Sequence, residues 1–269
     1  MSDLKHLNNT QQIILNNKLT TDVRFVSEHT FLYVVSGLLT ICDGSMGHNL
    51  KSGDYCLIKR NSLVKFVKSS LVAEEFEIIG IQLHSDLLKT FSKEYQYTAQ
   101  KRLKEGSIIN IKSDALLQNY LESRNLYENL HRKDRGHLLN LKNKELIFLL
   151  LNLNPDLQNV LFNFDEPEKV DLEDYMNHNY KYNLSLSQFS YLTGRSLTSF
   201  KRDFEKAFNK APGRWLLDRR LNEARILIEK EGKKPIEVYL EVGFEDLSHF
   251  SFAFKKAFGA SPKKITKIG

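Results

Sequence analysis

The 269-residue chain is 41% hydrophobic and 27% charged, with 39 Lys and Arg against 33 Asp and Glu. That balance suits a globular protein of one or two domains and excludes collagen, disulfide miniproteins and disordered tails. Cys42 and Cys56 are too few for a disulfide framework, Met1 to Lys5 opens without a signal peptide's apolar run, and the longest apolar stretch, Leu146 to Leu151, falls far short of the ~18 residues of a membrane span. The expectation is a cytoplasmic protein with no membrane partner.

Residues 22–82 read as short strands. Thr30 to Cys42 is rich in Phe, Tyr, Val and Leu and ends in the turn-like Asp43-Gly44; Tyr55 to Lys59 follows Ser52-Gly53-Asp54; Leu63 to Val67 and Glu75 to Leu83 come next. Turn signals at roughly 8 to 12 residue spacing predict a compact antiparallel barrel or sandwich. The period then changes to that of helices: His84 to Gln96, a helix opened by Ser113-Asp114 with Leu116, Leu117, Tyr120 and Leu121 in step, and Lys142 to Leu153. The last is apolar nearly all round, so it is expected to be buried in its own domain or against a second subunit, which makes 142–153 the candidate homodimer interface.

Asn163 to Lys169 is polar and contains Pro167, so the linker is placed there, dividing the chain into domains 1–165 and 166–269. Beyond it the pattern is helical throughout: about Leu172 to His178, Leu186 to Leu192, Leu197 to Phe208, Gly213 to Lys230, Pro235 to Val242 and Leu247 to Phe258. The positive charge gathers in this part. From Lys181 onward there are 18 basic and 10 acidic residues, whereas residues 1–169 carry 21 and 20. A polyanion is a fitting partner; a solvated lysine-rich surface is the plain alternative.

One supersecondary unit occurs twice. Phe200, Phe204 and Phe208 match Phe250, Phe254 and Phe258 at a constant offset of 50, and Leu197, Lys206, Ala207 and Pro212 pair with Leu247, Lys256, Ala257 and Pro262. Each unit, at about 185–209 and 235–259, has the grammar of a helix-turn-helix. Ser185 with Gln188 forms a capping box, Gly194 supplies a tight turn and Ser196 caps the longer helix; Pro235 opens the second unit, Gly243 turns it and Asp246 caps its longer helix. The Phe stripes are expected to face inward. Outward stand Thr198, Lys201, Arg202 and Glu205, with Arg195 and Ser196 before them and Ser199 on the flank. Their counterparts are Ser248, His249, Ser251, Phe252, Lys255 and Lys256. Such donors and hydroxyls at a helix N-terminus suit base edges in a major groove. Gly213 to Lys230 joins the units, with Trp215, Leu216, Arg219, Leu221, Ala224, Ile226 and Leu227 available to pack on both.

With these residues in view, Leu172 to Pro262 resembles the DNA-binding domain of AraC/XylS-type bacterial transcription regulators. The resemblance is carried by Thr193 to Leu197, Phe200 to Phe204, Val242 to Asp246, Phe250 to Lys256 and Gly259 to Pro262. It implies an all-α domain of two helix-turn-helix units joined by a linker helix, with double-stranded DNA contacted by Thr198, Lys201 and Arg202, then Ser248, Ser251 and Phe252. Two features depart from the family pattern. Ser190 and Tyr239 stand where a small Ala is usual, and Phe252 stands where an arginine is frequent, leaving it thymine-methyl or sugar contact while Lys255 and Lys256 take phosphates.

The first half is similar, less specifically, to the mainly β, cupin-like barrel with trailing α-helices that many such regulators use for sensing and dimerisation. That implies control by a small-molecule or protein effector, with His29, Phe31, Tyr33, Tyr55 and Phe66 as candidate pocket residues or plain core, and contact with RNA polymerase if the protein activates. Two other readings remain: a non-catalytic adaptor using the helical domain for protein contacts, and a cupin-type metal enzyme fused to a DNA-binding domain. His29, His48 and His84 are widely spaced without a His-x-His pair, and no phosphate loop, Cys-x-x-Cys or nucleophile elbow occurs, so neither catalysis, a metal nor a cofactor is expected.

Overall fold

A computed structural model describes residues 21–43, 46–69, 76–101, 106–128, 134–165 and 167–265. The chain start, Gly44, Glu75 and Glu166, on which parts of the sequence expectations fall, lie outside them. The chain divides into two compact units, Met1–Phe164 and Asp165–Gly269.

The first unit is built on eight strands: β1 (Thr21–Val26), β2 (His29–Ser36), β3 (Leu38–Asp43), β4 (Met46–Lys51), β5 (Tyr55–Ile58), β6 (Ser62–Ser69), β7 (Glu77–Leu83) and β8 (Ile108–Ile111). They form two antiparallel four-stranded sheets, ordered β1-β6-β3-β4 and β7-β2-β5-β8. The expected single strand from Thr30 to Cys42 breaks at Gly37, so that β2 joins one sheet and β3 the other.

Strand alternation sorts the side chains of the second sheet into two cores. Leu32, Val34, Cys56 and Ile58 face the first sheet and pack with its Leu39, Ile41, Val64 and Phe66. Phe31, Tyr33, Tyr55, Leu57 and Ile81 point the other way, onto α1 (Ser85–Tyr95), α2 (Ala115–Glu128) and α3 (Arg135–Leu153). The unit is thus sheet on sheet on helices. A short turn Pro155–Leu157 and α4 (Gln158–Leu161) close it.

Helix α3 runs longer than expected and is not buried all round. Leu139, Leu146, Ile147, Leu150 and Leu151 are in the unit's own core, while Leu141 and Phe148 remain exposed, Phe148 lying 4.7 Å from the Phe91 ring. The segment's many leucines conceal a 3.6-residue stripe that α2 and the sheet cover.

The second unit is helical: α5 (Leu172–Asn179), α6 (Leu186–Leu192), α7 (Leu197–Phe208), α8 (Pro212–Glu229), α9 (Pro235–Glu241), α10 (Leu247–Phe258) and α11 (Pro262–Ile265). Helix α8 serves both halves. Near its start Trp215 packs against Phe204 and Phe208, at 5.5 and 4.6 Å. Further along, Leu221, Ala224, Leu227 and Ile228 form one core with Val238, Val242, Phe250 and Phe254. Ile226, expected to join them, is 44% exposed because its position falls on the opposite side of that stripe.

Candidate nucleic-acid interface

The two helix-turn-helix units are closed by the same backbone bonds. In the first, Gly194 N–H donates to Tyr191 O and Arg195 N–H to Ser190 O; in the second, Gly243 donates to Leu240 O and Phe244 to Tyr239 O. The two glycines take φ of +66° and +89°, and a Cβ on either would overlap backbone: Glu168 at Gly194, Lys181 at Gly243. Glycine is therefore required twice over, by conformation and by the passing chain. The small-residue departures are absorbed locally. Ser190 is buried and its hydroxyl donates to Ser187 O, while Tyr239 lies half-buried against the second unit's core.

Caps then aim the longer helices. The Ser185–Gln188 capping box is formed, the Ser196 hydroxyl accepts from Ser199 N–H at 3.2 Å, and Asp246 accepts from His249 N–H at 2.7 Å. Phe200, Phe204, Phe250 and Phe254 are fully buried. Their burial turns the opposite faces of α7 and α10 to solvent. Exposed on α7 are Thr198, Lys201, Arg202 and Glu205 among others; on α10 they include Ser248, His249, Phe252, Lys255 and Lys256, with Ser251 half-buried beside them.

Not all the candidate contact residues are equally free. Arg195 is tied inward: its Nη1 donates to Val170 O at 3.0 Å and Thr193 O at 2.6 Å, and its Nε faces Asp203. It supports the turn. Ser196 and Ser199 spend their hydroxyls on each other and on the cap. His249 leans on the Phe244 ring at 5.6 Å. Thr198, Lys201, Ser248, Phe252, Lys255 and Lys256 stand clear on the outward faces.

Two supporting residues escaped the sequence pattern. Asp203 bonds Arg202 on one oxygen and Arg195 on the other, and those two hydrogen bonds, Arg202's first, hold its carboxyl below the usual range. Arg220 on α8 donates to Tyr180 O, Tyr182 O and Gly243 O at 2.8, 2.8 and 3.0 Å, and burial lowers its pKa. A charged residue inside an amphipathic stripe, at the step where apolar residues recur, was the available sign of Arg220.

In the β-rich unit the five candidate pocket residues do not line one cavity. Phe31, Tyr33 and Tyr55 stack together beneath the helices, with Tyr33 and Tyr55 4.7 Å apart, whereas Phe66 lies between the sheets. His29 is buried at one end of β2, its Nδ1 accepting from Arg60 N–H at 3.2 Å. Alternate residues share a face, and the face shared by Phe31, Tyr33 and Tyr55 is the outer one of the inner sheet. Among the described residues no group of three or more potential metal ligands gathers.

Two capped reading helices on one connector, in a chain that also carries a separate β-rich unit, define the architecture of a DNA-binding transcription regulator with an N-terminal regulatory domain. Residues 191–268 match the family described as a helix-turn-helix domain, and residues 29–160 match the one described as the ExsA N-terminal regulatory domain. These matches support an AraC-family transcription regulator. It is 26% identical to the HTH-type transcriptional regulator ExsA of Pseudomonas aeruginosa, over 91% of this chain and 88% of that protein. It is 26% identical to the virulence regulon transcriptional activator VirF of Yersinia enterocolitica, over 95% of this chain and 97% of that protein. The same figures hold for the thermoregulatory protein LcrF of Yersinia pestis. Among the described residues no helix is long and apolar enough to cross a membrane.

Proposed function

We propose that α7 and α10 enter successive major grooves on one face of duplex DNA, about 34 Å or one helical turn apart. Thr198, Lys201 and Arg202 meet base edges in the first groove, Ser248, Ser251 and Phe252 in the second, and Lys255 and Lys256 neutralise phosphates. Arg195, Ser196, Ser199 and His249 then serve by holding those side chains in place.

The observation that carries this reading is the doubled construction. Each unit has a glycine turn wedged on a passing stretch of backbone, an N-capped helix and a buried Phe pair, and each exposes polar and basic residues on the far face, joined on α10 by Phe252. A scaffold alone has no need to keep that face clear twice.

The remainder of the reading concerns control. The protein acts as a cytoplasmic, non-catalytic regulator, and by analogy with the activator VirF it raises transcription through contact with RNA polymerase. The domain spanning 1–165 receives a small-molecule or protein signal and pairs subunits through 142–153, where Phe148 is exposed, as is Leu141 just before it, while 166–269 holds DNA.

Titrating the full chain against duplex DNA at several salt concentrations tests the core of this. Affinity falls steeply with salt, and Lys255→Ala and Lys256→Ala each lower the slope of log K against log salt by about 0.9. A chain with no salt-dependent affinity for duplexes would instead be a protein-binding adaptor.

A further inference from the structure

We infer that Phe252 makes the second reading helix a thymine reader, by laying its ring against a thymine C5-methyl group in the major groove. The inference rests on the DNA-binding reading above and adds to it the class of base recognised.

The ring is 70% exposed, on the side of α10 away from Phe250 and Phe254, which are fully buried. The fold therefore does not use it. Among the described residues no ring or cation stacks on it, in contrast to Phe244, Phe250, Phe254 and Phe258 around it. Covering such a ring with an apolar partner removes its surface from water and is favourable.

Its setting says what the cover is. On the helix Ser248 lies one turn before Phe252, and Lys255 and Lys256 lie about one turn after it; Ser248 and both lysines are exposed. Cations on that side suit the phosphates that border a groove, and a small hydroxyl on the other leaves room for a base to approach. Among the groups a base pair presents in the major groove, donors and acceptors gain nothing from a phenyl ring, and the one apolar group is the thymine methyl. Arginine at this position would hydrogen-bond guanine. Phenylalanine cannot, so the preference moves from guanine to thymine.

The test begins with duplexes selected from a random library by the full chain. Each thymine of the selected second half-site is then replaced in turn by deoxyuridine, which removes the methyl and leaves the base pairing intact. At one or two positions the replacement weakens binding of the unaltered protein about fourfold, the worth of one buried methyl-sized group. With Phe252→Ala the same replacement has no effect, and with Lys255→Ala affinity drops for every duplex while the thymine preference persists. Because the change is made in the DNA, folding of a variant cannot explain the result. Tight duplex binding that is indifferent to deoxyuridine everywhere, or a methyl preference that survives Phe252→Ala, overturns this inference and leaves the DNA-binding reading intact. Failure to bind any duplex overturns both.

Discussion

Arg195 and Asp203 lock the first turn to its reading helix: Arg195 Nε donates to Asp203 Oδ2 at 3.3 Å while its Nη1 holds Thr193 O. The other carboxylate oxygen receives Nε and Nη2 of Arg202 at 3.1 and 3.0 Å. One acidic residue thus holds a guanidinium of the scaffold and poises a guanidinium of the reading face. Asp203→Asn is expected to raise affinity for scrambled duplex, since a negative charge near the phosphates is gone. It should also narrow the ratio between selected and scrambled duplex about three- to tenfold, because Arg202 loses its aim. Equal changes for both duplexes would show that Asp203 acts by charge alone.

Arg202→Ala should cost more specificity than Phe252→Ala. A bidentate guanidinium contact discriminates by about 1–3 kcal/mol, whereas a methyl contact is worth about 0.8 kcal/mol. Footprints of the two variants on one selected duplex make the comparison, and the reverse ranking would refute it.

Gly194→Ala and Gly243→Ala are expected to destabilise the helical unit far more than Gly232→Ala. All three positions have positive φ, at +66°, +89° and +67°, but only the first two would drive a Cβ into backbone, and Gly232 has open space around it. The conformational part costs about 1–2 kcal/mol at each. The overlap adds to it only at the two turns, so thermal melting should separate the pair from the control by several degrees.

His29 gives the β-rich unit a dependence on pH. Burial first, and the positive charge of Arg60 next, hold its pKa at about 3, against 6.5 in an open chain. Between those values the unfolded chain binds a proton that the folded one refuses, so the stabilisation present above pH 6.5 is lost progressively as pH falls toward 3. Melting midpoints measured from pH 7 to pH 4 should fall less steeply for His29→Gln than for the unaltered chain. Identical slopes would mean that other groups set the acid response.

The helical unit was legible from the sequence almost to the residue. Leu186–Leu192, Leu197–Phe208 and Leu247–Phe258 have their expected limits because caps, turn glycines and the Phe stripe all act within a few neighbouring residues. The β-rich unit was less so. β1 and β4, TDVRFV and MGHNLK, are edge strands whose apolar residues do not alternate over their whole length, and edge positions do not demand the alternation by which strands are recognised. Alternation did group Phe31, Tyr33 and Tyr55, but a period of two does not say which face meets the other sheet and which meets helices. The roles of Asp203 and Arg220 were not legible for another reason: their partners are set by side-chain rotamers and by carbonyls from distant segments, although Arg220's place in an apolar stripe marks it as unusual.

Arg220 ties carbonyls on either side of α6 and α7, at Tyr180, Tyr182 and Gly243, with a single planar group. The distance between the two readers is thereby made a fixed gauge. Adding one base pair between half-sites swings the second by about a tenth of a revolution and advances it ~3.4 Å. A stapled connector of this sort has no slack to follow, so in the proposed pose binding is expected to depend on helical phase as well as on base sequence.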